Sequence, residues 1–190
     1  MASDAAPATE AAARPSEKGP FLVLWALLLA SLVVLALVPE HVAANTTAAL
    51  SVALLILLGV IDLVTMRVPN LLVYPAILFA LAATAVIDYT LLTQALAGGG
   101  ALLAIMFLLA IIGRGAMGMG DVKAACFSGC VLGLKAGIAS LLLGFAAGAI
   151  IALPLMILMH RSRKDFLPLT PFLAAGSIFI GLIVGFLVQS

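Results

Sequence analysis

Gly118-Met119-Gly120-Asp121-Val122-Lys123 sets one carboxylate between two glycines and a lysine, at the mouth of an apolar segment. The 190-residue chain carries only eight acidic and nine basic side chains, 9% charged residues against 65% apolar ones, with a mean hydropathy of +1.34. Soluble domains carry about 25% charged residues. The composition therefore predicts an all-α, polytopic membrane helix bundle with a short polar tail. In such a chain a carboxylate at the bilayer is expensive and marks a functional site. Asp121 needs a partner, and the surrounding chain has to supply it.

Working outward from that stretch, the apolar segment it opens is expected to be a short helix over about 121–132. Residues 133–137 then form a tight connection, and a further span runs to His160. On the other side, Gly98-Gly99-Gly100 opens a span ending near Ile112, before Arg114. Earlier spans are expected at about 71–87, closed by Asp88, and at about 46–62, with Arg67 and Pro69 in the polar break between them. Pro39 to Asn45 reads as a connection. Residues 21–38 exceed the roughly 7–15 residues of a signal-peptide apolar region and precede more spans, so they read as a retained helix. The final span is expected at about 171–188, after the hydrophilic Arg161-Ser162-Arg163-Lys164-Asp165. This makes about seven transmembrane helices in one domain over 21–190, behind a mobile cytoplasmic tail at 1–20. The last six of these helices occupy about 46–190, after the N-terminal one.

Basic residues orient the bundle. With the N-terminus in the cytoplasm, Arg14, Lys18, Arg67, Arg114, Lys123, Arg161, Arg163 and Lys164 fall inside and Lys135 alone falls outside. That is a strong positive-inside bias and places the chain in the inner membrane. Glycines four apart (Gly133/Gly137, Gly144/Gly148, Gly181/Gly185) allow close helix approach and identify no function. Cys126 and Cys130 lie in a span, with neither CxxC nor Cys/His zinc spacing. No metal, cofactor or nucleic acid is expected.

Under this topology Asp62 ends one span and Asp121 begins another at the same cytoplasmic edge, 59 residues apart in sequence. Paired carboxylates can activate water against a peptide bond, one as general base and the other, protonated, as donor to the carbonyl oxygen. Asp121 sits at the positive end of a helix dipole with Lys123 nearby, whereas Asp62 sits at a negative end. The expectation is that Asp62 keeps the shared proton. Asp88, on the opposite side, and Asp165, in a basic loop, read as helix-end or interfacial charges. Gly118 and Gly120 permit close backbone approach to a ligand.

The stretch around Asp121 resembles the GxGD-[V/I/L]-K signature of type IV prepilin peptidases and archaeal preflagellin peptidases. Asp62 with Val68-Pro69-Asn70 resembles the first aspartate and Ile-Pro-Asn segment of that family. Pro168-Leu169-Thr170-Pro171-Phe172-Leu173-Ala174-Ala175-Gly176 is similar to a late segment in which Thr170 replaces a usual glycine, a change expected to affect loop shape more than chemistry. The resemblance covers about 54–176. It implies a membrane aspartyl endopeptidase that removes the basic leader of prepilin-like precursors at the cytoplasmic face. Asp62 and Asp121 match the catalytic pair, and Gly118, Gly120, Lys123, Pro69 and Asn70 are expected to support the site. Larger relatives carry a cysteine-rich domain and N-methylate the product; here peptidase activity alone is expected. Partners are the precursor and membrane lipids, with oligomeric state left open. How a basic leader is held is open too, since Arg67, Arg114 and Lys123 repel it while Asp165 or lipid headgroups could attract it.

Three alternatives remain. A proton- or ion-coupled transporter would use Asp62 and Asp121 as a relay, yet both acids lie at an edge rather than at the midplane. A non-catalytic scaffold would need neither. A presenilin-type protease would need a Tyr before the first aspartate, where this chain has Ile61.

Overall fold

The computed structural model describes residues 19–37, 39–65, 68–113, 117–158 and 169–189. They form six helices: α1 (Gly19–Leu37), α2 (Glu40–Thr65), α3 (Asn70–Ile87), α4 (Tyr89–Ile112), α5 (Met119–Leu158) and α6 (Thr170–Gln189). No strand occurs among the described residues. Among the described residues four stretches are long and apolar enough to cross a membrane: Ala44–Thr65, Asn70–Ile87, Tyr89–Ile112 and Met119–Ile151. The chain is a multi-pass membrane protein. Its many exposed Leu, Ile, Val and Phe side chains need no partner in a solvent of lipid tails, which are as apolar as they are. Of the tail expected over residues 1–20, Gly19 and Pro20 already belong to α1, while residues 1–18 lie outside the described residues, as do the basic residues Arg67, Arg114, Arg161, Arg163 and Lys164 and the acidic Asp165.

α5 is not one rod. A straight helix would separate Ser128 and Ser140 by about 18 Å, yet their hydroxyl oxygens are 3.4 Å apart. The chain therefore reverses between them, at Gly133, whose φ of 72° and ψ of −174° are the only non-helical values inside α5. Left-handed φ is open to glycine at little cost. The expected five-residue connection is thus a single glycine joining two antiparallel limbs, 119–132 and 134–158. The first limb, about 21 Å long, is shorter than the roughly 30 Å hydrocarbon core. It is packed on two faces. Phe127 and Cys130 join a core with Leu54, Leu58, Val73 and Phe79, while Val122 and Ala125 join another with Leu102, Met106, Leu141 and Leu173. A helix buried on both sides has no polar face to display.

Two expected boundaries move. Gly98-Gly99-Gly100 does not open α4, which starts at Tyr89 and carries the glycines in its interior. Each glycine costs about 1 kcal/mol there relative to alanine, and close packing is what retains two of them. A Cβ on Gly98 would run into the backbone of Gly129 and Gly133, and one on Gly99 into Cys130 Sγ, while Gly100 has open space around it. Likewise the connection expected from Pro39 to Asn45 is helical from Glu40, because a proline tolerates the position before a helix as readily as the one after it. Behind these contacts, Ser128, Ser140 and Ser177 meet in the buried interior. Ser128 and Ser177 share a 2.6 Å hydrogen bond, Ser140 donates to the Gly137 carbonyl and Ser177 to that of Leu173. This cluster ties both limbs of α5 to α6.

Candidate active site

Four helix ends meet at one end of the bundle. α2 finishes there, and α3, α5 and α6 begin there. Gly59 brings the last turns of α2 onto the start of α6, since a Cβ on it would lie 3.3 Å from Pro171 Cα. Pro69 opens α3 by accepting, at its carbonyl, the amides of Leu72 (3.0 Å) and Val73 (3.2 Å). Val68 seats its side chain on Gly120, where a Cβ would come within 2.9 Å of it. Asn70, the first residue of α3, accepts a 2.6 Å hydrogen bond from Lys123 Nζ. That ammonium also stands 5.1 Å from the centroid of the Tyr74 ring, within cation–π range. Lys123 thus fastens α5 to α3.

Into this junction come the two aspartates. Asp62 lies in the last turn of α2, only 5% exposed, and its Oδ2 has no hydrogen-bond partner. Asp121 lies in the first turn of α5, its own amide donating to the Gly118 carbonyl at 3.1 Å. Its Oδ1 accepts two hydrogen bonds, from the Thr170 amide (2.9 Å) and the Thr170 hydroxyl (2.7 Å). Its Oδ2 lies beside the exposed Gly118, 3.4 Å from where a Cβ would stand on that residue. The carboxyls of Asp62 and Asp121 are close enough to act on each other electrostatically, and Thr170 borders both. Of the residues singled out in the sequence, Asp62, Asp121, Gly118, Gly120, Lys123, Pro69 and Asn70 all reach this end of the bundle.

Thr170 corrects an expectation. A residue read as shaping a loop is buried at the head of α6 and bonds the Asp121 carboxylate twice. The signal available was the hydroxyl itself, standing where glycine was expected. Asp88, by contrast, caps α4 about 27 Å along α3 from this junction, accepting from the Thr90 amide (2.8 Å) and hydroxyl (2.6 Å). Among the described residues no group of three or more His, Cys, Asp or Glu could hold a metal ion.

The model of the type IV leader peptidase family matches residues 49–153, more than half of the chain. The chain belongs to the type IV leader peptidase family. A "Prepilin leader peptidase/N-methyltransferase" of Bacillus subtilis (strain 168) is 29% identical over 127 residues, which is 67% of this chain and 51% of that protein. The chain thus aligns with about half the length of this relative. No solved structure matches it significantly. Within the leader-peptidase match lie Asp62, Asp121 and the junction that Asn70 and Lys123 close, whereas Thr170 lies beyond its end.

Proposed function

We propose that the chain is an integral-membrane aspartyl endopeptidase that cuts the leader from prepilin-like precursors, with Asp62 and Asp121 as its water-activating pair. The observation that carries this reading is the meeting of two scarce carboxyls from distant helices beside an exposed glycine. Family membership supplies the substrate class. In the proposed reaction Asp121, whose Oδ1 already receives two donors, is the carboxylate that takes a proton from water. The water oxygen bonds to the scissile carbonyl carbon. Asp62 carries the proton of the pair and gives it to the carbonyl oxygen, since a buried carboxyl oxygen without a donor is costly as an anion and useful as an acid. Collapse of the tetrahedral intermediate breaks the C–N bond: the proton Asp121 took passes to the leaving amine, and Asp62 takes back a proton from one of the two hydroxyls as the carbonyl re-forms.

Inner-membrane placement with the site at the cytoplasmic face is part of the proposal, supported by the distribution of basic residues in the sequence. So is cleavage without N-methylation, and mass spectrometry of the product would check it by the absence of one added methyl group. The decisive experiment is co-expression with a cognate prepilin, leader removal being followed by gel shift. Wild type is expected to convert the precursor, while Asp62→Asn and Asp121→Asn leave it intact. Full conversion by either variant would overturn the assignment of the pair, and no conversion by wild type would overturn the peptidase itself.

A further inference from the structure

The Thr170 hydroxyl is bonded to Asp121 of the candidate catalytic pair, and it comes from α6, 49 residues away in sequence. Its two donors converge on a single oxygen, Asp121 Oδ1. A carboxylate has two oxygens that exchange by rotation, and a water-activating base works best when one is held and the other is free. Oδ1 is the held one. Oδ2 lies beside Gly118, which is exposed and carries no Cβ to cover it. Thr170 is itself buried, 2% exposed, at the head of α6.

We propose that Thr170 is a positioning residue: its amide and hydroxyl together lock Asp121 Oδ1 and so present Oδ2 to the reacting water. This rests on the peptidase reading above. A glycine at the same place would keep the amide and lose the hydroxyl, so the second donor belongs to this chain's own side chain. Two variants separate positioning from packing. Thr170→Val keeps the shape and removes the O–H; Thr170→Ser keeps the O–H and removes the methyl group.

With purified full-length protein in detergent and a prepilin substrate, Thr170→Val is expected to lower kcat about 10- to 100-fold, the scale of one hydrogen bond to a charged group. KM should stay within about twofold, and Thr170→Ser should retain most of the wild-type kcat. Independently of turnover, ¹³C-aspartate infrared spectra should contain a carboxylate band that is lost in Asp121→Asn. It should move in Thr170→Val and stay in place in Thr170→Ser. Wild-type kcat in Thr170→Val, a loss confined to KM, equal losses in both variants, or an unmoved band would each overturn the proposal. If wild type itself fails to cut, the peptidase reading falls, and the infrared comparison still decides whether Thr170 holds Asp121.

Discussion

Asp88 and Asp121 are held by the same chemistry. Each carboxylate stands at the start of a helix and accepts one amide and one hydroxyl hydrogen bond from a single threonine, Thr90 for Asp88 and Thr170 for Asp121. They differ in where the threonine comes from and in what else is nearby. Thr90 is two residues away on an exposed turn, so the motif closes on itself and caps α4. Thr170 comes from another helix, half-buries Asp121 and leaves it facing Asp62. Hydrogen-bonding pattern alone therefore does not make a site. What separates a cap from a candidate catalytic group is a second carboxyl brought in by packing, beside an exposed glycine.

The sharpest way to break this comparison is to remove each charge in turn. Asp121→Asn is expected to cut prepilin cleavage by about 10³-fold, within the range that general acid–base catalysis supplies, while Asp88→Asn leaves the rate within about twofold. Equal losses in a gel-shift time course would mean that the two aspartates are alike after all. The next effect in size bears on the packing of α4 against α5, the helix that carries Asp121. Gly98→Val puts a side chain into the backbone of Gly129 and Gly133, and overpacking of this kind costs about 1–3 kcal/mol. A clear drop in the melting temperature of the detergent-solubilised protein is expected, with loss of cleavage. An unchanged melt would show that α4 and the α5 hairpin do not pack this closely. Smaller again is Asn70→Leu, which strips Lys123 of its acceptor. Cleavage should fall about 2- to 10-fold, in line with one modest hydrogen bond, and an unaltered rate would remove Asn70 from the support of the site.

The same contrast explains what the sequence could disclose. Asp88-Tyr89-Thr90 is complete within three letters, and its helix-end role was legible there. Asp62 and Asp121 were legible as a pair because charge is scarce and both fall at span ends on one side. The hairpin was foreseen around residues 133–137, though not that one positive-φ glycine suffices. Gly98 and Gly99 were misjudged as a helix start, because a glycine that breaks a helix and one that admits a neighbouring helix look the same in one dimension. The partner that tells them apart, Gly129, is some 30 residues further on. Thr170 was underrated for the same reason: nothing local to it points to Asp121.

The smallest expected effect tests the cap side of the comparison through pH. The hydroxyl and amide of Thr90 hold the Asp88 carboxyl below the ordinary carboxylate range. A group whose folded value is depressed contributes stability that is fully present above its unfolded value and is lost as pH falls through the folded one. Asn at the same position still caps a helix but does not titrate. Wild type should therefore melt slightly above Asp88→Asn at neutral pH, and the gap should close only in acid, below the ordinary carboxylate range. The difference between the two proteins is the quantity to follow, because other acids titrate in both and cancel. Melting curves whose separation stays constant from neutral into acid would mean that the charge on Asp88 adds nothing to the cap, and the likeness to Asp121 would then be one of geometry alone.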